Sequence, residues 1–159
     1  MAANEPDPRT ISRAVLETLA SRGEADFPDE TCGFVFGTDG DLKVVPMENI
    51  QNRLHAEDPE QHERDARTAY CFDAKAMLAV LDEHERAGLP LWAIYHSHPD
   101  HDAYFSETDS AAASPFGEPS FPGAAHIVLS VRGGKTVDQK AFDWSPSAET
   151  FVEVPLSVE

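Results

Sequence analysis

The sequence predicts a single α/β domain in which a mixed central sheet is flanked by helices, and three observations carry that expectation. The chain has 159 residues, and domains usually run to roughly 100–200, so one core is expected across residues 1–159. Two segments repeat apolar residues at helical spacing: Ile11, Val15 and Leu19 in the first, and Ala74, Met77, Leu78 and Leu81 in the second. Between and after them come short runs of β-type residues, the most apolar being "LWAIY" at 91–95, the pattern of a strand buried on both faces. No internal repeat and no linker divides these segments, so helices and strands read as layers of one unit.

Taken in order, residues 1–9 are polar, carry Pro6 and Pro8, and read as a frayed end. Residues 10–22 read as an amphipathic helix that stops near Gly23. "TCGFVFG" and "LKVVPM" around "TDGD" form a hairpin pattern. Residues 49–68 are polar and aperiodic, which predicts a long loop of the kind that tends to carry function. "AYCF" reads as a short strand, and Asp73 as the N-cap of a helix over about 74–87 closed by Gly88. The buried strand "LWAIY" runs into "HSHPDHDAYFSETDSAAA", where Ser106 can cap a short helix with Glu107 and Asp109 in its first turn. After a Pro- and Gly-rich loop, "HIVLSV", "TVDQKAFDW" and "FVEVPL" close the chain as strands.

Composition bounds what such a domain can do. Apolar residues make up 41% and charged residues 26%, which is globular composition and excludes a disordered chain or a fibre. Only two cysteines are present, Cys32 and Cys71, so a disulfide framework is excluded and a reducing compartment fits. The first 25 residues hold no apolar run and nothing approaches 18 consecutive apolar residues, so neither a leader nor a membrane span is expected, and the expected location is the cytoplasm. With 29 acids against 12 bases the formal charge is −17, which repels phosphate backbones and makes nucleic acid an unexpected partner.

The chemistry concentrates where the buried strand ends. His96 and His98 are two apart on an extended segment, so both imidazoles project to one side, and Pro99 stops the strand beside them. Paired imidazoles suit zinc, which needs a third protein ligand and an open position to be catalytic. Two patterns run through the pair. One is H-x-H-x-D-H, formed by His96, His98, Asp100 and His101, as in metallo-β-lactamase-like hydrolases. That fold is larger and needs further ligands downstream, and the one histidine after His101, His126, sits inside a strand pattern. The other is H-S-H-P followed by S-x-x-D, formed by His96, His98, Ser106 and Asp109. Deaminase (P-C-x-x-C) and zincin (H-E-x-x-H) patterns are absent from the sequence.

The second pattern resembles the JAMM (MPN-plus) zinc metalloprotease family in its stand-alone prokaryotic form. Beyond the ligand motif, "FPDETCGFVFG" places Glu30 before a Cys-Gly-hydrophobic strand, and "LWAIYHSHP" matches the family's passage from strand to ligands. The resemblance runs from about residue 10 to 156 and implies an MPN/JAMM-like domain with cytidine-deaminase-like layering. It further implies one zinc ion (Zn2+) per chain, held by His96, His98 and Asp109, with a catalytic water in the fourth position. Zinc brings the pKa of such a water to about 7. Glu30 resembles the family's general base, and Ser106 the hydroxyl that steadies the oxyanion. The implied reaction is isopeptide or peptide cleavage after the C-terminal glycine of a ubiquitin-like or sulfur-carrier protein. A peptidase that releases an amino acid from a sulfur carrier is a close variant, and a non-catalytic MPN scaffold is the alternative of a different class. In this topology the segments 49–68 and 110–123 are expected to flank the metal and receive the substrate. Cys32 either borders the metal or packs in the core, while Cys71, Trp92 and a hydrogen-bonded His126 read as core residues.

Overall fold

The computed structural model describes residues 4–159. Six strands form a mixed sheet in the order β3-β2-β4-β5-β6-β7: β2 (Cys32–Thr38), β3 (Asp41–Met47), β4 (Leu91–Pro99), β5 (Ala125–Arg132), β6 (Lys135–Ser145) and β7 (Thr150–Val154). All neighbours are antiparallel except β4 and β5, which run parallel in the centre. The two-residue side-chain period of a strand divides β4 between two layers. Ala93 and Tyr95 face a core shared with Leu16 and Leu19 of α1 (Arg13–Asp26) and with Ile127, Leu129 and Val131 of β5. Ile94 turns to the other face, where Phe34, Phe36, Met77, Val80 and Leu81 form a second cluster under α3 (Ala74–Arg86). His96 and His98 share that second face, and Val128 beside His96 belongs to a third cluster with Phe105, Phe142 and Phe151. Fully burying one leucine such as Leu19 contributes about 1.5–3 kcal/mol, so the α1 layer holds the sheet from behind and leaves the other face for the site.

Several sequence expectations change on contact with the fold. The helix read over 10–22 starts at Arg13 behind a Ser12 cap and continues through Gly23 to Asp26. Gly23 is there for close approach, since a Cβ at that position would lie 3.0 Å from Cγ2 of Val131. Residues 1–3 lie outside the described part of the chain, but the rest of the expected frayed end is tied down. Glu5 accepts hydrogen bonds from Ser145 Oγ at 2.6 Å and Ser147 N at 3.1 Å. Arg9 bonds Asp143 at 2.8 Å and the carbonyl of Trp92 at 2.9 Å, and β1 (Arg9–Ile11) pairs in parallel with β8 (Leu156–Val158). Sequence polarity gave no sign of these distant partners. The loop expected over 49–68 contains a short helix, α2 (Gln51–Glu57), whose first amide is held by Asn49 Oδ1 at 3.0 Å. "AYCF" is neither strand nor helix; Cys71 bonds Asn49 and Ile50 instead. The helix capped by Asp73, the hairpin of β2 and β3, and the closing strands stand where the sequence put them to within one or two residues. No helix among the described residues is long and apolar enough to cross a membrane.

Candidate active site

His96 and His98 reach the site because β4 stays regular to Pro99, and both rings are buried. Asp109 arrives from the opposite direction. It is the third residue of α4 (Glu107–Ala113), and a reciprocal capping box fixes it: Ser106 Oγ accepts from the Asp109 amide at 2.9 Å, while Asp109 Oδ2 accepts from the Ser106 amide at 3.2 Å. The result is a triangle of donor atoms. His96 Nε2 and His98 Nε2 are 3.2 Å apart, and they lie 3.1 and 3.2 Å from Asp109 Oδ2. It is the one His/Cys/Asp/Glu cluster among the described residues that could hold a metal ion; Asp100, His101 and Cys32 are outside it.

The chemistry of this triangle fits zinc. Four-coordinate zinc with bonds of about 2.0–2.1 Å separates its donors by about 3.3 Å, close to the observed edges. His98 Nδ1 lies 2.9 Å from the Asp102 carbonyl, which can only accept, so that nitrogen carries a proton and Nε2 is the one turned toward the triangle. Burial holds the pKa of His96 below its ordinary value, against the pull of Asp109, and so keeps its ring neutral. Burial would raise the Asp109 carboxyl, but hydrogen bonds from the two histidines outweigh it and hold Asp109 well below the usual carboxylate range. Two imidazole nitrogens and a carboxylate thus converge on one point. A proton on one nitrogen points at one neighbour at a time, whereas a cation above the triangle meets all three.

Glu30 stands beside the triangle although it is far away in sequence. A pair of hydrogen bonds between neighbouring residues brings it there: the Thr31 amide donates to Ser97 Oγ at 2.8 Å and the Ser97 amide donates to the Thr31 carbonyl at 3.1 Å. Ser97 lies between the two histidines, and the next ladder pair is Cys32 with His96. Glu30 is buried, and its Oε1 has no hydrogen-bond partner within the protein. Burial first, and then the nearby Asp109 charge, push its pKa up to about 9, while Arg64 opposes the shift. Buried carboxylates without a partner are costly, and their occurrence in clefts marks functional sites.

These groups line one open cleft of about 650 Å³. Its lining includes Glu30, His98, Ser106 and Asp109, with Arg64, Thr68, Pro99 and His101, and with Phe72, Met77, Ile94, Phe121 and His126. Both segments expected to flank the site contribute, 64–68 from one and 112–121 from the other. Three residues behave otherwise than the sequence implied. His126 is buried with an unpartnered Nδ1 and no hydrogen-bonded strand role; Phe105 and Phe151 surround it at ring distances of 4.9 and 5.0 Å, and burial pushes its pKa down to about 3. Cys71 lines the cleft rather than the core, while Cys32 packs in the interior with Sγ 3.7 Å from the Met47 carbonyl. Tyr70 stacks on His96 at 4.7 Å and fixes the ring plane, a role the sequence did not reveal, because nothing local links residue 70 to 96.

Comparison with known proteins places these features in a family. The family model described as prokaryotic homologs of the JAB domain matches residues 12–145. A probable TtuB-protein conjugate cleaving protease of Thermus thermophilus is 32% identical over 99 residues, covering 62% of this chain and 59% of that protein. A desampylase of Pyrococcus furiosus is 32% identical over 91 residues, 57% of this chain and 53% of its own length. The chain therefore spans little more than half the length of these two relatives. A CysO-cysteine peptidase of Mycobacterium tuberculosis is 27% identical over 151 residues, 93% of this chain and 89% of that protein. Among solved structures, a protein of Desulfitobacterium hafniense superposes with a TM-score of 0.68 at 20% identity, covering 94% of this chain and 92% of that one. A JAB1/MPN domain protein of Archaeoglobus fulgidus superposes with a TM-score of 0.56 at 17% identity, covering 96% and 98%. The fold is therefore that of the JAB1/MPN domain.

Proposed function

The chain belongs to the prokaryotic homologs of the JAB domain, and from that premise we propose that it is a single-domain, zinc-dependent peptidase. Its substrate in this reading is a ubiquitin-like or sulfur-carrier protein, cut after the C-terminal glycine; the similar proteins are named for cleaving TtuB-protein conjugates, for desampylation and for CysO-cysteine hydrolysis. The observation that carries this reading is the convergence of two imidazoles and a carboxylate beside a buried glutamate oxygen without a partner in an open cleft. His96, His98 and Asp109 would hold zinc, which when bound supplies a Lewis acid, a water of pKa about 7 and a positive charge that favours ionised Glu30.

The chain's own residues account for the rest. Glu30 takes a proton from the attacking water and returns it to the leaving amine, a role its burial beside the triangle and its unpartnered Oε1 allow. Ser106 uses its lone pair for the Asp109 amide, which leaves its proton free to donate to the developing oxyanion. The cleft is open and is lined by Glu30 and Ser106 alike, so an extended tail can reach both.

The test is Glu30→Gln with metal analysis and single-turnover cleavage of a ubiquitin-like fusion protein. Zinc content and melting temperature should hold, while turnover falls about 10²–10⁴-fold. Zinc-loaded Glu30→Gln that cleaves at the wild-type rate would remove Glu30 from the mechanism. A wild-type protein that neither binds zinc nor cleaves would leave the non-catalytic scaffold as the reading.

A further inference from the structure

Glu30 stands just outside the sheet that carries the metal triangle. The ladder from β2 to β3 closes at Cys32 and Met47, and the ladder from β2 to β4 at Cys32 and His96. Glu30 lies two residues before those last pairs, so no strand fixes its backbone. Its buried Oε1 has no partner within the protein, so the place of the carboxylate rests on the main chain. Three contacts hold that main chain. The Thr31 amide donates to Ser97 Oγ at 2.8 Å, and the Glu30 amide donates to the Ala66 carbonyl at 2.7 Å. The third comes from a side chain: Asn49 Nδ2 donates to the Glu30 carbonyl at 3.0 Å.

Asn49 follows the end of β3 and uses its full hydrogen-bonding capacity there. Nδ2 donates to the carbonyls of Glu30 and Ala69 at 3.0 and 3.1 Å. Oδ1 accepts from the amides of Gln51 and Cys71 at 3.0 and 3.2 Å. Carbonyls only accept and main-chain amides only donate, so these four partners admit one orientation of the side chain. Three of the bonds anchor it, to its own turn and to the 69–71 segment, and the fourth holds Glu30. Capping α2 would need the Gln51 bond alone. The neighbouring polar residues bond elsewhere: Gln51 Nε2 donates to the Arg64 carbonyl at 2.9 Å, and Asn52 Oδ1 accepts from the Ala66 amide at 2.8 Å. Of the three, Asn49 alone bonds residue 30.

Resting on the peptidase reading above, we propose that Asn49 is a positioning residue for the reaction, which acts through the Glu30 carbonyl to fix the proposed general base beside the metal triangle. It does not line the cleft, so it neither binds substrate nor moves a proton. Without its side chain, residues 30 and 31 keep their bonds to Ala66 and Ser97 but can turn about them, and the carboxylate loses its fixed distance to the attacking water. None of its bonds goes to His96, His98 or Asp109, so the triangle should keep its geometry. Tyr70, which stacks on His96, lies between two of its partners; a loss acting through that ring would appear in zinc affinity.

The test is a double-mutant cycle of Asn49→Ala and Glu30→Gln, read by zinc Kd, Tm and cleavage of a ubiquitin-like fusion protein. In the wild-type background Asn49→Ala should lower kcat about 10–100-fold, with KM and zinc Kd within about threefold. In the Glu30→Gln background the same change should cost less than about threefold, because the group it positions is already gone. Ser12→Ala removes the α1 cap behind the sheet and should lower Tm without this loss of rate. Asn49→Asp keeps an acceptor for the Gln51 and Cys71 amides and lacks both donors, so it repeats the cycle where the alanine variant fails to fold. A wild-type kcat in a folded Asn49 variant, losses that multiply across the cycle, or a weakened zinc Kd overturn the inference and leave the peptidase reading intact. Zinc-loaded wild-type protein that cleaves nothing sinks the peptidase reading, and the inference with it.

Discussion

Replacing Ser97 by alanine tests whether the bond pair that places Glu30 is also a support of the fold. The Ser97 hydroxyl is fully buried and accepts from the Thr31 amide at 2.8 Å. Thr31 is itself fully buried, so removing the acceptor leaves an amide with neither protein nor water to bond. Such a buried orphan donor costs about 1–3 kcal/mol, and the lost volume is a single oxygen, so the cavity adds little. A loss near 2 kcal/mol in a chain of this size corresponds to about 4–8 °C in Tm. Because Thr31 follows Glu30, the same change loosens the proposed general base, and displacements near 1 Å at a reaction centre can cost about 10²-fold in rate. The backbone bond from Ser97 to Thr31 at 3.1 Å remains, so β4 and both histidines should stay in register and zinc content should not change. Scanning calorimetry, metal analysis and single-turnover kinetics measure the three quantities. A Tm within about 1 °C of wild type, or loss of zinc with full stability, would refute the argument that this contact positions Glu30 rather than the metal.

The remaining predictions concern the triangle and the histidine behind it. Metal analysis should find one zinc per chain, lost in His98→Ala and Asp109→Ala and kept in His101→Ala; loss in His101→Ala would restore Asp100 and His101 as ligands. Zinc at about 100 times its Kd should raise unfolding free energy by about 2.7 kcal/mol, and a chelator should remove that increment. His126 gives an acid limb to stability: burial holds its folded pKa at about 3, well below its ordinary value, so the folded ring stays neutral while the unfolded chain takes a proton below pH 6.5. Its contribution is complete above that pH and is lost as pH falls, by about 1.4 kcal/mol at pH 5.5. His126→Phe should flatten that limb in urea unfolding at pH 7.5 and 5.5, with His96 and Asp109 contributing equally to both proteins; equal losses in the two would show that His126 is not the source.

The sequence made legible whatever depends on local period and short spacing. The α3 cap at Asp73, the apolar run of β4 and the pairing of His96 with His98 follow from residues within a few positions of each other. What it hid depends on long-range contacts. Arg9 joins Asp143 and Trp92, and Gly23 sits under Val131, pairings that no pattern within a window could signal. The strand expected at "AYCF" failed because strand propensity says only that a segment can pair, and here Asn49 bonds its backbone instead.

One short stretch nevertheless encodes fold and chemistry together. Ser106 and Asp109 satisfy two otherwise unpaired amides at the start of α4, and the same Asp109 oxygen that accepts from the Ser106 amide faces both histidines. The ligand is thus held by the helix it caps. A helix of this length has little stability alone, so the capping box and the packing of Ala113 against Phe105 and Val128 must hold it. A zinc ion drawing on the same carboxylate, as proposed, would stabilise the helix and be stabilised by it, because each favours the arrangement the other needs. The spacing S-x-x-D is therefore a capping rule before it is a metal motif, and the site follows from placing that cap opposite the end of β4. That placement is made by the loop from Asp100 to Phe105, in which Asp100 adopts a left-handed turn with φ of 58° and bonds the Gly133 amide at 2.8 Å. The same loop supplies the Asp102 carbonyl that sets the His98 tautomer, so a single connection sets both the direction of the third ligand and the protonation of the second.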